Sequence, residues 1–147
     1  MKRGQKVSKL SDLESERLEK QRCFVRDHFA TASRHHYSSL EGKIELLKTI
    51  LAANWINPDE TWKLQSLGVV FGDALAQKLG LHWITVEDEH GNDPALHDPG
   101  TTIILFPLTS ISKRIERGEL VNVRELFDQA CAKVGRLRSE LPSIGPH

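Results

Sequence analysis

The sequence predicts an α+β domain, in which a small antiparallel sheet of about three strands is packed by an N-terminal helical hairpin, a central glycine-containing helix and a C-terminal helix. Three observations predict it. Apolar residues recur at helical spacing near both ends of the chain. Strand-forming residues alternate with turn signals only between Leu81 and Phe106. The 147 residues, 39% hydrophobic and 27% charged, suffice for one core without metal or disulfide staples.

In chain order, residues 1–9 read as a flexible basic arm, because Lys2, Arg3, Lys6 and Lys9 stand there without an acid. Residues 10–56 read as the helical hairpin. Ser11 and Glu14 form a capping box, and Leu18, Val25, Phe29 and Ala32 make one apolar stripe on a helix predicted to end near Arg34 to Tyr37. Glu16 and Lys20 stand four apart on its charged face. A second helix over Ser39 to Ala53 buries Leu40, Ile44, Leu47 and Leu51. The short polar link between the two predicts antiparallel packing.

Residues 57–141 form the main unit. Asn57, Pro58 and Glu60 predict a capped helix start, and Gly80 predicts its end after Leu79. Gly68, Gly72 and Ala76 share one face of that helix. Each glycine costs roughly 1 kcal/mol against alanine in a helix, so close approach by another chain segment is expected to offset it. Leu81 to Glu87 reads as a strand, Asp88 to Gly91 as a turn, and Pro94 to His97 as a short return strand. Asp98-Pro99-Gly100 is a second turn, followed by Thr101 to Phe106, apolar on both faces and read as the most buried strand. Thr109 or Ser110 is expected to cap a short helix closed by Gly118. Asn122 and Glu125 cap the last helix, whose stripe runs Val123, Phe127, Ala130, Val134, Leu137 and Leu141. Residues 142–147 read as a loose tail.

Composition removes several function classes. Twenty basic and twenty acidic residues cancel, so bulk charge does not favour nucleic acid. Charge is nevertheless sorted: between Lys78 and Lys113 there is no Lys or Arg, while Glu87, Asp88, Glu89, Asp93 and Asp98 carry that segment to −5. Cys23 and Cys131 have neither disulfide-framework nor zinc spacing and read as reduced thiols. No apolar run follows the basic start and none is long enough to span a bilayer, so neither signal peptide nor membrane span is read and a cytoplasmic setting is expected. No cofactor is expected.

From LGVVFGDALAQKLGLHW through VEDEHGNDPAL to GTTIILFPLTSISKRIERGE and VNVRELF, about Leu67 to Phe127, the chain resembles a bacterial family of small domains catalogued only as a domain of unknown function. The resemblance implies one structural unit whose pattern includes Asp88, Gly91, Phe106-Pro107 and Lys113-Arg114. It implies no activity and no catalytic residues.

Three places could carry function. Glu87, Asp88, Glu89, Asp93 and Asp98 form an acidic turn region suited to a basic protein partner, and the leading expectation is a protein-binding module, of immunity or antitoxin type in its most concrete version. The alternative is a small-ligand or metal-dependent enzyme using His90, Asp93, His97 and Asp98, although their spacing fits no zinc signature or calcium loop. A further alternative is anion or nucleic-acid contact through Lys113, Arg114 and Arg117 on the short helix. No nucleophile elbow or phosphate loop is present, so no catalytic residue is assigned. The oligomeric state is not legible.

Overall fold

The structure, a computed structural model, describes residues 6–27, 37–89 and 91–141. Among these, five helices and four strands follow one another as β1 (Lys6–Lys9), α1 (Asp12–Arg26), α2 (Leu40–Ala53), α3 (Thr61–Leu79), β2 (His82–Asp88), β3 (Gly91–His97), β4 (Ile104–Leu105), α4 (Leu108–Glu116) and α5 (Val123–Ser139). The strands form one antiparallel sheet in the order β1-β2-β3-β4. The class is the predicted α+β, with one strand more than expected.

That strand corrects the reading of the N-terminus. Lys6–Lys9 is not a loose arm: it pairs with β2, Lys6 opposite Glu87 and Lys9 opposite Ile84. Val7 packs against the cluster of Ile84, Val86 and Ala95, and flanking lysines are what an edge strand commonly carries. The basic pattern reads as an arm because a single inward valine gives too short an alternation to register as a strand.

The helices organise around α3, which is buried along most of its length from Leu64 to Leu75. Its glycine face is covered as expected. A Cβ on Gly68 would stand 2.4 Å from the Leu108 carbonyl oxygen, because the start of α4 crosses there. A Cβ on Gly72 would meet the Trp83 ring at 2.7 Å and Pro107 at 2.8 Å. The helix starts later than predicted. Glu60 accepts the Asn57 amide on its carboxylate at 2.9 Å and donates its own amide to the Asn57 carbonyl at 3.0 Å, so Asn57–Glu60 closes as a separate turn.

The capping signal of the first helix holds, Ser11 accepting the Glu14 amide at 3.2 Å; the second helix is capped too, Ser39 accepting the Gly42 amide at 2.9 Å. The predicted packing of these two helices on each other does not hold. Each lies against α3 rather than principally against the other. α1 ends at Arg26, and the predicted extension with Phe29 and Ala32 lies outside the described residues.

β2 and β3 are joined through residues 89–90, with Asp88 opposite Gly91 at φ 121°. The return strand is longer than predicted, and Pro94 is tolerated because β4 pairs only with Leu96 and His97. The predicted long strand Thr101 to Phe106 shrinks to Ile104–Leu105. Thr101 intervenes, donating its hydroxyl to the Asp98 carbonyl at 2.8 Å and accepting the Ile103 amide at 3.0 Å, which turns the backbone away from the ladder. Phe106 is exposed as a result. α4 is entered at Pro107 without a side-chain cap, not at Thr109 or Ser110. α5 is capped as predicted by Asn122, and its Phe127 meets Phe71 edge-on at 6.3 Å.

Candidate functional site

Two helix ends shape a large concavity. α2 stops at Asn54, which takes the left-handed conformation at φ 55°, and α4 is turned off by Gly118 at φ 76°. Between the links that follow, Asn54–Pro58 and Glu119–Asn122, lies an open cleft of about 1060 Å³. Leu64, Leu67 and Ile115 are at its base, with Leu51 of α2 and the first turns of α5 along its sides. Trp55 is 50% exposed and Leu120 100% exposed, and both line it. Its charged residues are mostly engaged: Lys48 reaches Glu45 at 3.4 Å, Arg124 pairs with Glu41, and Glu119 faces Arg117 at 3.4 Å. A mostly apolar concavity of this size with a few polar groups is the usual form of a binding site.

A second constellation is polar and nearly enclosed. Asp73 of α3 accepts Arg22 Nε at 2.5 Å and the Tyr37 hydroxyl on Oδ2. On Oδ1 it accepts Arg22 Nη2 at 3.0 Å and Trp83 Nε1 at 2.9 Å. The missing side chain of Gly72 lets the Trp83 ring lie on the helix and deliver that N–H. Beside it, Lys43 donates to Gln77 Oε1 at 2.7 Å with its ammonium 4.9 Å from the Tyr37 ring centre. Burial works to lower the pKa of Arg22, but hydrogen bonding and charge from Asp73 outweigh it and hold the guanidinium charged. Burial, then the charge of Asp73, pushes the Tyr37 phenol up. Burial pushes Lys43 down, opposed by Asp73. With four donors on its two oxygens, Asp73 has no lone pair left for a substrate. It is a tie between α1, residue 37, α3 and β2.

Neither constellation was read from the sequence. Asp73 did leave a signal: it is the one charged residue from Leu64 to Gln77. The cleft left none, because Trp55 and Leu120 stand in links without periodicity.

The acidic set is divided. Glu87, Glu89 and Asp93 are exposed around the β2–β3 turn and Asp88 is half-buried. Asp98 leaves the set: it is 8% exposed and accepts Arg138 Nε at 2.8 Å, while Arg138 Nη2 also donates to the Leu79 carbonyl at 2.6 Å. The histidine–aspartate set is not gathered either. Asp93 and His97 lie four residues apart on β3, about 13 Å at strand rise, and His97 Nε2 is 2.7 Å from the Thr101 carbonyl. His90 lies outside the described residues, and among those described no three His, Cys, Asp or Glu are grouped to hold a metal ion. Of the basic trio, Arg114 donates to the Ser110 carbonyl at 2.7 Å, Arg117 caps α4 and pairs with Glu119, and Lys113 is exposed. Burial raises the thiol pKa of both Cys23 and Cys131, opposite to the shift that activates a thiol. Among the described residues no helix is long and apolar enough to cross a membrane.

Residues 43–127 match the family model described as Domain of unknown function (DUF3806). The chain belongs to this family. The DUF3806 segment runs from α2 into α5 and encloses the stretch from Leu67 to Phe127 that carries the resemblance read from sequence. It holds Asp73, Trp83, Trp55 and Leu120, whereas Arg22 and Tyr37 precede it. No curated protein matches the chain. A crystal structure of a protein from Bacteroides thetaiotaomicron VPI-5482 is similar over 89% of this chain, with a TM-score of 0.69 and 15% identity. At that identity the likeness is one of fold. The DUF3806 chain covers 48% of the length of that protein.

Proposed function

We propose that this DUF3806 chain is a protein-binding module that docks its partner on the apolar cleft between α2 and α5. The observation that carries the reading is the pair of exposed anchors. Single exposed apolar residues are ordinary on a protein surface. A fully exposed leucine and a half-exposed tryptophan, on two different links but lining one cleft of about 1060 Å³, form a connected patch that association would cover. Tryptophan is also the residue type most often found at the energetic centre of an interface. A cytoplasmic setting, with both cysteines unpaired, belongs to the same reading.

The test is titration with a neutral apolar dye, Nile red, followed by dye emission and by backbone amide shifts. Filling of the cleft is expected to move amides in residues 50–58 and 115–132. Leu120→Asp, at a position that contributes nothing to the core, is expected to weaken it about tenfold. Shifts elsewhere in the chain, or equal binding by Leu120→Asp, would overturn the reading.

A second surface fits the same class of function. Exposed Glu87, Glu89 and Asp93 around the β2–β3 turn suit a basic partner of the kind an immunity or antitoxin-type protein meets. On that reading, Glu87→Lys/Asp93→Lys would abolish capture of a basic partner, and Leu120→Asp would leave it intact.

A further inference from the structure

We infer that the occupant of the cleft is an amphipathic α-helix whose apolar face is flanked by basic side chains; the inference rests on the docking reading above and names the chemistry of the partner.

The walls decide the secondary structure. They are helices α2 and α5 with short links, and helix walls satisfy their own backbone groups, so they offer no open ladder for an added strand. The surviving mode for an apolar trough between helices is a helix laid into it, with side chains at one-turn intervals meeting Leu51, Trp55, Ile115 and Leu120.

The charges decide its flanks. Both cations that line the cleft are turned to acids outside it, Lys48 to Glu45 and Arg124 to Glu41. Glu125 and Asp128 are exposed one turn apart on α5 and line the cleft; neither forms an ion pair among the described residues, and Arg124, in contact with Glu41, feels Asp128 only at longer range. Gln129 donates to Glu125 at 3.3 Å but brings no charge. A helix with acidic flanks would set like charges together. One with Lys or Arg beside its apolar face would find two carboxylates on the α5 side.

The experiment compares two helical peptides of about 18 residues, long enough to hold helix when docked, one of leucine and lysine and one of leucine and glutamate in the same apolar pattern. Amide shift mapping reports where each binds and how tightly. The expected result is at least about tenfold tighter binding of the lysine peptide, with shifts confined to residues 50–58 and 115–132. Glu125→Lys/Asp128→Lys is expected to invert the preference, and Leu120→Asp to weaken both peptides. Glu125→Gln/Asp128→Asn, which only removes charge, guards against loss of fold in the reversal variant and is expected to level the two affinities. Equal affinity for both peptides, or a preference indifferent to these variants, overturns the inference. If Nile red still fills the cleft in that case, docking stands and only the partner is wrong. If neither peptide nor dye moves the cleft amides, both fall.

Discussion

Replacing Asp73 by alanine removes the acceptor of four hydrogen bonds at once. Arg22 and Asp73 are 19% and 12% exposed, so the guanidinium left behind has little water to turn to and keeps one charge partner, Glu19 at 2.7 Å. Tyr37 and Trp83 lose their partner as well. Breaking a buried ion pair from one side costs about 3 to 5 kcal/mol. The residual exposure of Arg22 and the Glu19 carboxylate that still faces it place the expectation at the lower end, about 3 kcal/mol. For a chain of this length that corresponds to a fall in melting temperature of roughly 10 °C. Urea denaturation followed by circular dichroism at 222 nm measures the first quantity, and a thermal scan the second. The double variant Arg22→Met/Asp73→Leu separates a lost charge partner from lost packing, since removing both charges recovers part of the penalty. A cost of Asp73→Ala below about 1 kcal/mol, the worth of one ordinary hydrogen bond, would refute the assignment of Asp73 as the tie. So would a double variant no more stable than the single one.

Other expectations follow from single contacts. Gly68→Ala should lose about 2 to 3 kcal/mol, because its Cβ would press on the Leu108 backbone at 2.4 Å, whereas Gly135→Ala, with nothing within 4 Å in α5, should gain about 0.5 to 1 kcal/mol; paired urea melts compare them. Tyr37 is the chain's single tyrosine and its phenol is raised above 10.0 by burial and by Asp73. The folded state therefore keeps a proton that the unfolded chain gives up. The stability linked to it is whole below about pH 10 and is lost as pH rises above that. An absorbance titration at 295 nm should show the phenolate appearing late and together with unfolding, and early ionisation with the fold intact would contradict it. Asp98→Ala should loosen the last turns of α5 by about 1 kcal/mol, read as faster amide exchange from Val134 onward.

Much of the fold was legible because the helix boundaries are written in local chemistry. Ser11 and Asn122 each cap where their side chains indicate. The cover over Gly68 and Gly72 followed from energetics, since an unfilled notch in a helix is otherwise a net loss. What was hidden depends on distant partners. Val7 makes a strand only because β2 is there to receive it. Thr101 to Phe106 has the composition of a buried strand, yet the Thr101 hydroxyl captures a backbone amide first. Asp98 reads as one more acid in a run until Arg138, forty residues on, withdraws it. The cleft follows from the way two links pass each other, which no local pattern encodes.

The tie at Asp73 bears on how the family is to be handled at the bench. The recognisable stretch, residues 43–127, contains Asp73 and Trp83 but not Arg22 or Tyr37, which supply three of the four hydrogen bonds. Leu18 and Val25 of α1 and Val134 of α5, all buried, also fall beyond it. A fragment cut at those limits would carry a nearly bare carboxylate against its own core and an opened flank where α1 had lain. Such a fragment would be sticky for reasons unrelated to function, and partners fished with it would report the cut rather than the protein.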